Sequence, residues 1–226
     1  MISQKNEVLK NYILNTFISA KKKEFLESKF PGQITDYFSI DQFKEILGSY
    51  NLKKRELIVL DKRPVNNFLS QDFHSEESFS ENGILDFCHQ KRLTIRLNNV
   101  WKYSEDLKII RSELKKSLQG ELSINAYYSP ENADSFSFHY DSCDSLAFGI
   151  SGEKRMCFIF EQEDQITPKF SFHDLKENAV LYVPRGLIHK AKVQSDHSLH
   201  IVFVWDPEKN FSNYWYLDDE ISLKLK

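Results

Sequence analysis

The 226-residue chain is poor in cysteine. Cys88, Cys143 and Cys157 are an odd number with no metal-like spacing, which excludes the paired disulfide framework that staples small secreted domains. Reduced thiols and a cytoplasmic location are therefore expected. Net charge is also small, −3 at pH 7, so no overall positive field draws the chain to nucleic acid or to an acidic membrane, and neither is expected as a partner. Long apolar runs are missing too: none approaches the roughly 20 residues needed to span a bilayer. The opening Met1-Ile2-Ser3-Gln4-Lys5-Asn6-Glu7 lacks the apolar stretch of a signal segment. A soluble protein follows as the expectation. There is no low-complexity segment and no internal repeat.

What is present suits a folded core. Hydrophobic residues make up 41% of the chain, with 18 Phe and 10 Tyr, and the length fits one decorated domain or two small ones. Leu9, Ile13, Phe17 and Ala20 recur at helical spacing, predicting an amphipathic helix within residues 5–28 whose Lys21-Lys22-Lys23 run is a solvated face. Pro31-Gly32 breaks that pattern. Ser39-Ile40-Asp41-Gln42 has the form of a capping box ahead of a short helix carrying Phe43, Ile46 and Leu47 and stopped by Gly48. Glu56–Leu60 reads as a buried strand, 61–75 as a polar surface loop, 76–90 as a helix, Leu93–Leu97 as a strand, and 105–118 as a helix ended by Gly120.

Beyond Gly120 the character changes. Residues 121–129, 145–150, 154–160, 178–183 and 198–205 read as strands, separated by turns at Ser129-Pro130-Glu131-Asn132 and Ser151-Gly152-Glu153. Short strands after a helical half predict a closed or sandwiched antiparallel β structure with helices packed outside. In Leu122–Tyr128, positions 122, 124 and 126 are apolar while Ser123, Asn125 and Tyr127 share the other face. That polar face either lines a wet, ligand-holding cavity or looks out to solvent.

The chemistry concentrates in Ser137-Phe138-His139-Tyr140-Asp141. A strand there puts His139 and Asp141 on one face, because side chains two residues apart point the same way. One imidazole and one carboxylate are two thirds of the facial triad that holds non-haem Fe(II) with positions left open. The best third ligand is His189, just past the apolar run Ala179–Val183. A hydrogen-bonded core histidine is the competing reading of His139. Cys143, two residues beyond Asp141, reads as a small packed residue rather than a fourth ligand.

Taken together, Asn125-Ala126-Tyr127, Phe138-His139-Tyr140-Asp141, Gly152-Glu153-Lys154-Arg155, Pro184-Arg185-Gly186-Leu187-Ile188-His189 and His197-Ser198-Leu199-His200 resemble the JmjC-type cupin oxygenases. The resemblance runs over about eighty residues, Asn125 to Trp205, and is closest to the ribosomal-oxygenase branch, which hydroxylates amino-acid side chains in proteins. It implies a mainly β (α+β) fold, a double-stranded β-helix of the cupin or jelly-roll kind. Residues 1–120 would form a helical part with a few strands completing the barrel, 121–206 the barrel core and 207–226 a tail, all in one structural domain. It implies Fe(II) held by His139, Asp141 and His189, with 2-oxoglutarate as cosubstrate. Lys154 matches the cation for the cosubstrate's far carboxylate, with Arg155 the runner-up on the opposite strand face. Asn125 and Tyr127 match positions lining the cosubstrate pocket. His200 falls in the matching strand as a pocket or core histidine, and Val204 stands where relatives carry a polar residue.

The implied activity is hydroxylation of an unactivated C–H, with succinate and CO₂ as co-products. The ribosomal oxygenases carry a helical dimerisation region and a winged-helix domain after the barrel, whereas this chain ends about twenty residues past Trp205. The expectation is thus a compact relative acting on another protein, a peptide or an amino-acid-derived metabolite, with a homodimer left open. The 61–75 loop, Trp101–Tyr103 and Asn210–Tyr216 are candidate walls of the substrate site. The rival readings are a cupin using Zn, Ni or Mn without 2-oxoglutarate, discriminated by metal-dependent activity that ignores the keto acid, and a non-catalytic cupin module, against which three intact ligands speak.

Overall fold

The computed structural model describes residues 2–19, 25–49, 52, 56–60, 81–133, 137–160, 169–208 and 214–216. Four helices precede the main β region: α1 (Gln4–Ser19), α2 (Ile40–Ser49), α3 (Glu81–Lys91) and α4 (Glu105–Ser117). The strands are β1 (Leu26–Lys29), β2 (Leu57–Leu60), β3 (Thr94–Leu97), β4 (Glu121–Pro130), β5 (His139–Asp141), β6 (Asp144–Phe160), β7 (Lys169–Leu175), β8 (Ala179–Val183), β9 (Ile188–Asp206) and β10 (Tyr214–Tyr216). The Lys21–Lys23 run, the 61–75 loop and Asn210–Asn213 lie outside the described residues.

Two long strands organise the jelly roll. The first half of β6 pairs with the last half of β9, in the strand order β1-β8-β6-β9-β4-β3-β2. The second half of β6 pairs with the first half of β9, flanked by β7 on one side and by β5 with β10 on the other. One pair of strands therefore serves both facing layers, and the change of layer falls at the register shifts between Gly149 and Lys154. Gly152 sits at φ +69°, a left-handed conformation that a bulge requires and glycine adopts freely.

Strand alternation separates the core from the cavity. In the larger layer Ile124, Ala126, Leu146, Phe148, Ile201 and Phe203 are all fully buried and face the helices. Leu9, Ile13 and Phe17 of α1, Phe43 of α2 and Leu107, Ile110 and Leu114 of α4 complete that core. Each such side chain contributes about 1.5–3 kcal/mol by leaving water, which is why helices of modest length are held here. The intervening residues, Ser123, Asn125, Tyr127, Ser145, Ala147 and Val202, turn the other way, into the space between the layers.

Several local expectations meet corrections. The first helix ends at Ser19, and Leu26–Lys29 is an edge strand paired with Ala179–Tyr182; its exposed sequence has little apolar signal, so sheet pairing decides its conformation. Residues 145–150 and 154–160 are one bulged strand rather than two, because Ser151-Gly152-Glu153 stays in the ladder. Likewise 198–205 is only the second half of β9. The turn expected from Ser129 begins later, at Glu131-Asn132, closed by Ala133 N–H to the Pro130 carbonyl at 3.1 Å. Of the helix expected over 76–90, residues 81–90 are helical within Glu81–Lys91, and 76–80 lie outside the described residues. β7 was not expected at all. The capping box is present: Gln42 N–H donates to Ser39 Oγ at 3.2 Å and Ser39 N–H to Gln42 Oε1 at 2.9 Å.

Candidate metal centre

β5 and β9 bring the candidate ligands together. His139 is the register partner of His189 across the antiparallel pair, so both rings project from one face, and Asp141, two residues on, shares it. The rings lie 4.3 Å apart between centroids. His139 Nε2 is 4.0 Å from Asp141 Oδ1, and His189 Nε2 is 3.9 Å from Asp141 Oδ2. One donor atom from each residue falls within 4.8 Å of the others, and both histidines are buried.

Backbone carbonyls fix the tautomers. His139 Nδ1 is 2.9 Å from the Ser137 carbonyl and His189 Nδ1 is 2.8 Å from that of Leu187. A carbonyl only accepts, so each Nδ1 carries the proton and each Nε2 presents a lone pair to the centre. Burial, and then the His189 ring beside it, push His139 down to about 4, which keeps it neutral at ordinary pH. Asp141 Oδ1 is buried without a hydrogen-bond partner. Two lone pairs and an orphaned carboxylate oxygen converge where only a cation relieves them, and an N₂O set on one side suits an octahedral ion with open positions. The residues present fit such a metal.

A clamp holds the loop that delivers His189. Arg185 Nη2 meets Asp144 Oδ2 at 2.9 Å, and the Arg185 N–H donates to Asp144 Oδ1 at 3.0 Å. Gly186, at φ +82°, donates its N–H to the Asp141 carbonyl at 2.9 Å. The turn is thus tied to the strand that carries Asp141. Burial and the nearby Asp144 carboxylate raise the Tyr182 phenol far above its ordinary value. The Pro-Arg-Gly signature was legible, but that Arg185 reaches back to Asp144 is a tertiary contact with no local pattern.

The centre opens on a cavity of about 410 Å³ whose wall includes Asn125, Tyr127, Lys154 and His200. The polar face of β4 therefore lines a cavity rather than solvent. Lys154 is 1% exposed and donates from Nζ to Ser129 Oγ at 2.7 Å, which in turn contacts Thr94 Oγ1 at 2.8 Å. Burial drives its pKa down to about 7. Arg155 points outward instead, paired with Asp174 at 2.7 and 2.9 Å. Asn125 Oδ1 accepts from Asn99 N–H at 3.1 Å, and the Tyr127 ring stacks on His200 with centroids 5.2 Å apart. Ser129, read from sequence as a turn residue, is the unforeseen member of this group.

Other expected residues fall elsewhere. Cys143 is buried in the cavity wall, and it is not part of the His139–Asp141–His189 group. Trp101 and Tyr103 pack against the helical core; Asn98 and Asn99 take the place in the wall expected of them. The Tyr214–Tyr216 backbone pairs with His139–Asp141, alongside the site. Val204 lines the cavity, as does Val202.

The fold is a cupin-type jelly roll, and its cavity carries a two-histidine, one-carboxylate cluster able to hold a metal ion. The JmjC domain family model matches residues 101–214, half of the chain, and the chain belongs to that family. It is 29% identical to ribosomal oxygenase 2 of Rattus norvegicus over 147 residues, covering 59% of this chain and 31% of that protein. It is 31% identical to the bifunctional lysine-specific demethylase and histidyl-hydroxylase NO66 of Branchiostoma floridae over 114 residues, 50% of this chain and 18% of the relative. The chain thus spans a third or less of the length of these relatives. Among solved structures, the ribosomal oxygenase YcfD of Escherichia coli in complex with cobalt and succinic acid superposes with a TM-score of 0.55 at 15% identity, over 87% of this chain and 52% of that one. That likeness is one of fold.

Proposed function

We propose that this chain is an Fe(II)- and 2-oxoglutarate-dependent oxygenase that hydroxylates an unactivated C–H bond. Its substrate class is an amino-acid side chain in a protein or peptide, or a metabolite derived from one. The observation that carries this reading is the sharing of one cavity by the lone-pair triad of His139, Asp141 and His189 and the buried ammonium of Lys154. The similarity to ribosomal oxygenase 2 and to a histidyl-hydroxylase supports it, as does the succinic acid in the YcfD complex, since succinate is the co-product such a reaction leaves.

His139, Asp141 and His189 would hold the iron, which when bound supplies O₂ activation coupled to decarboxylation of the keto acid. Lys154 pairs with Val193, four residues along β9 from His189, about 13 Å of backbone at ~3.3 Å per residue. A lysine side chain together with a short extended diacid spans that gap. Lys154 therefore takes the far carboxylate, steadied by Ser129. Asn125 and Tyr127 flank the diacid, and apolar Met156, Val202 and Val204 keep water from its middle. We further infer that residues 1–120 and the barrel act as one domain, since helices and larger layer share a core, and that the buried free thiols of Cys88, Cys143 and Cys157 belong to a cytoplasmic protein.

Anaerobic titration with Fe(II) and 2-oxoglutarate tests the reading. A weak visible charge-transfer absorption is expected, lost in His139→Ala and needing more keto acid in Lys154→Ala. Tight binding of another metal, with no response to 2-oxoglutarate, would overturn it in favour of a cupin of different chemistry.

A further inference from the structure

The outer end of the cavity carries two charges that the metal centre and Lys154 leave unused. Ser129, which receives Lys154, sits deep, and Tyr127, Asn125, Ser123 and Glu121 follow it outward along one face of β4, in the cavity wall. His189 lies four residues from Val193, the register partner of Lys154, and Asn125 lies four residues from Ser129. The triad and Asn125 therefore stand at one depth, and Leu122 is about 10 Å further out.

At that outer level α4 delivers Arg111. Its Nε donates to the Leu122 carbonyl at 2.9 Å, and its guanidinium lies over the Trp101 ring, 4.3 Å from the centroid. Trp101 Nε1 in turn donates to Asn99 Oδ1 at 3.1 Å, and Asn99 N–H to Asn125 Oδ1 at 3.1 Å, which ties the whole group to the strand that forms the wall. A guanidinium held by Nε and by one flat face keeps Nη1 and Nη2 for the two-pronged contact that matches a carboxylate. Glu121 lines the same end of the cavity. Burial lowers the guanidinium pKa, and the Glu121 carboxylate is close enough to oppose that shift, yet the ion pair of Glu121, at 3.3 Å, is with Lys115. Among the described residues the two opposite charges form no ion pair with each other, so a ligand carrying both signs can satisfy each.

We propose that Arg111 and Glu121 bind the zwitterionic head of a free α-amino acid, Arg111 taking the α-carboxylate and Glu121 the α-ammonium, with a long side chain reaching inward to the metal centre. The proposal rests on the oxygenase reading above and deepens it by naming the substrate class. A residue inside a polypeptide carries neither α-charge, so a site built on this pair favours the free molecule. A head group held about 10 Å out from the triad places the oxidised carbon on the side chain and not at Cα. The wall between the two levels fits such a chain, with Val183 and Val204 apolar and Ser123 and Ser145 small.

The test measures succinate formed by Fe(II)-loaded protein with 2-oxoglutarate and O₂ in the presence of each common L-amino acid in turn. The best of them is then compared with its α-amide, its des-amino acid and a peptide carrying the same residue internally. An amino acid with a long side chain should stimulate turnover, and each of the three analogues should be poorer in kcat/KM by about tenfold or more. Glu121→Gln should raise KM with kcat little changed and erase the advantage of the amino acid over the des-amino acid. Arg111→Lys, which keeps the charge and loses the fork, should erase most of its advantage over the amide. A purely structural role for either residue would lower all ligands alike, and that result would overturn the proposal. So would the absence of stimulation by any amino acid, or an internal peptide residue turned over as well as the free molecule. In each of these cases 2-oxoglutarate binding to Mn(II)-loaded protein leaves the oxygenase reading standing; wild-type protein that binds Mn(II) but not 2-oxoglutarate loses that reading too.

Discussion

His139 and His189 are register partners with their rings 4.3 Å apart, each turned by a backbone carbonyl so that Nε2 faces the carboxylate of Asp141. Such a cluster is destabilising without a cation, so metal should stabilise the fold strongly. Fe(II) or Co(II) at a hundred times its dissociation constant adds about 2.7 kcal/mol, which for a protein of this size raises Tm by roughly 5–10 °C. Asp141→Ala should abolish that shift while leaving the metal-free protein at least as stable as wild type, because it removes an orphaned oxygen. Calorimetric scans with and without metal check both halves. A metal-induced rise that survives in Asp141→Ala would place the ion elsewhere.

Lys154 gives the pH dependence. Its folded pKa of about 7 lies below the unfolded value near 10.4, so the folded state disfavours the ammonium. Below pH 7 both states are protonated and the folded state carries the whole penalty; between about 7 and 10.4 the unfolded state binds more protons, and stability from this group rises with pH. Lys154→Met should therefore be more stable than wild type by on the order of 3 kcal/mol at pH 6.5, with the gap closing by pH 10. Urea denaturation at the two pH values measures it. In wild type, 2-oxoglutarate affinity should fall as pH rises above 7, because a proton must accompany the diacid. Flat affinity from pH 7 to 9 would exclude Lys154 as its anchor.

The parts of this site that were legible in the sequence are those that local rules govern. The two-residue spacing of His139 and Asp141 fixes a shared strand face, and so does the opposition of Lys154 and Arg155. The pairing of His139 with His189 is not local: it follows from the Pro184–Gly186 turn docking on Asp141 and Asp144. β7 stayed hidden because its alternation is reversed. Phe172 is 62% exposed on the outer face, while Ser171 and His173 share the inner face with Met156 through their register with β6. Leu26–Lys29 has no pattern of its own and is a strand because β8 offers it an edge.

Arg185 supports the centre without touching it. Its guanidinium is about three-quarters buried and faces an Asp144 carboxylate that is 9% exposed. Arg185→Ala leaves that carboxylate uncompensated and should cost about 2–3 kcal/mol, somewhat under the range for fully buried pairs. It also frees the turn before His189, for which a 10–100-fold loss of metal affinity is expected. Arg185→Lys should recover little of either, since an ammonium cannot reproduce the fork to Asp144. Metal titration monitored by fluorescence, beside urea midpoints, separates the two effects.

Two glycines should fail for different reasons. A Cβ on Gly149 would lie 1.9 Å from the Lys176 carbonyl oxygen, a backbone atom with no freedom to retreat, because Asn178 N–H binds the Gly149 carbonyl at 3.0 Å and locks the two segments together. Gly149→Ala must therefore break the crossing of β6 with the β7–β8 connection, at a cost of about 3 kcal/mol or more. Gly186 has open space around it but φ of +82°, so Gly186→Ala meets only the left-handed backbone penalty, about 1–2 kcal/mol. Asparagine tolerates that region better than alanine, so Gly186→Asn should recover part of the loss. At Gly149 asparagine should be no better than alanine, because space and not conformation is the obstacle. Urea midpoints for the four variants decide it. An Ala–Asn difference at Gly149 matching that at Gly186 would show that backbone conformation, rather than the close approach of Lys176, demands glycine at the strand crossing.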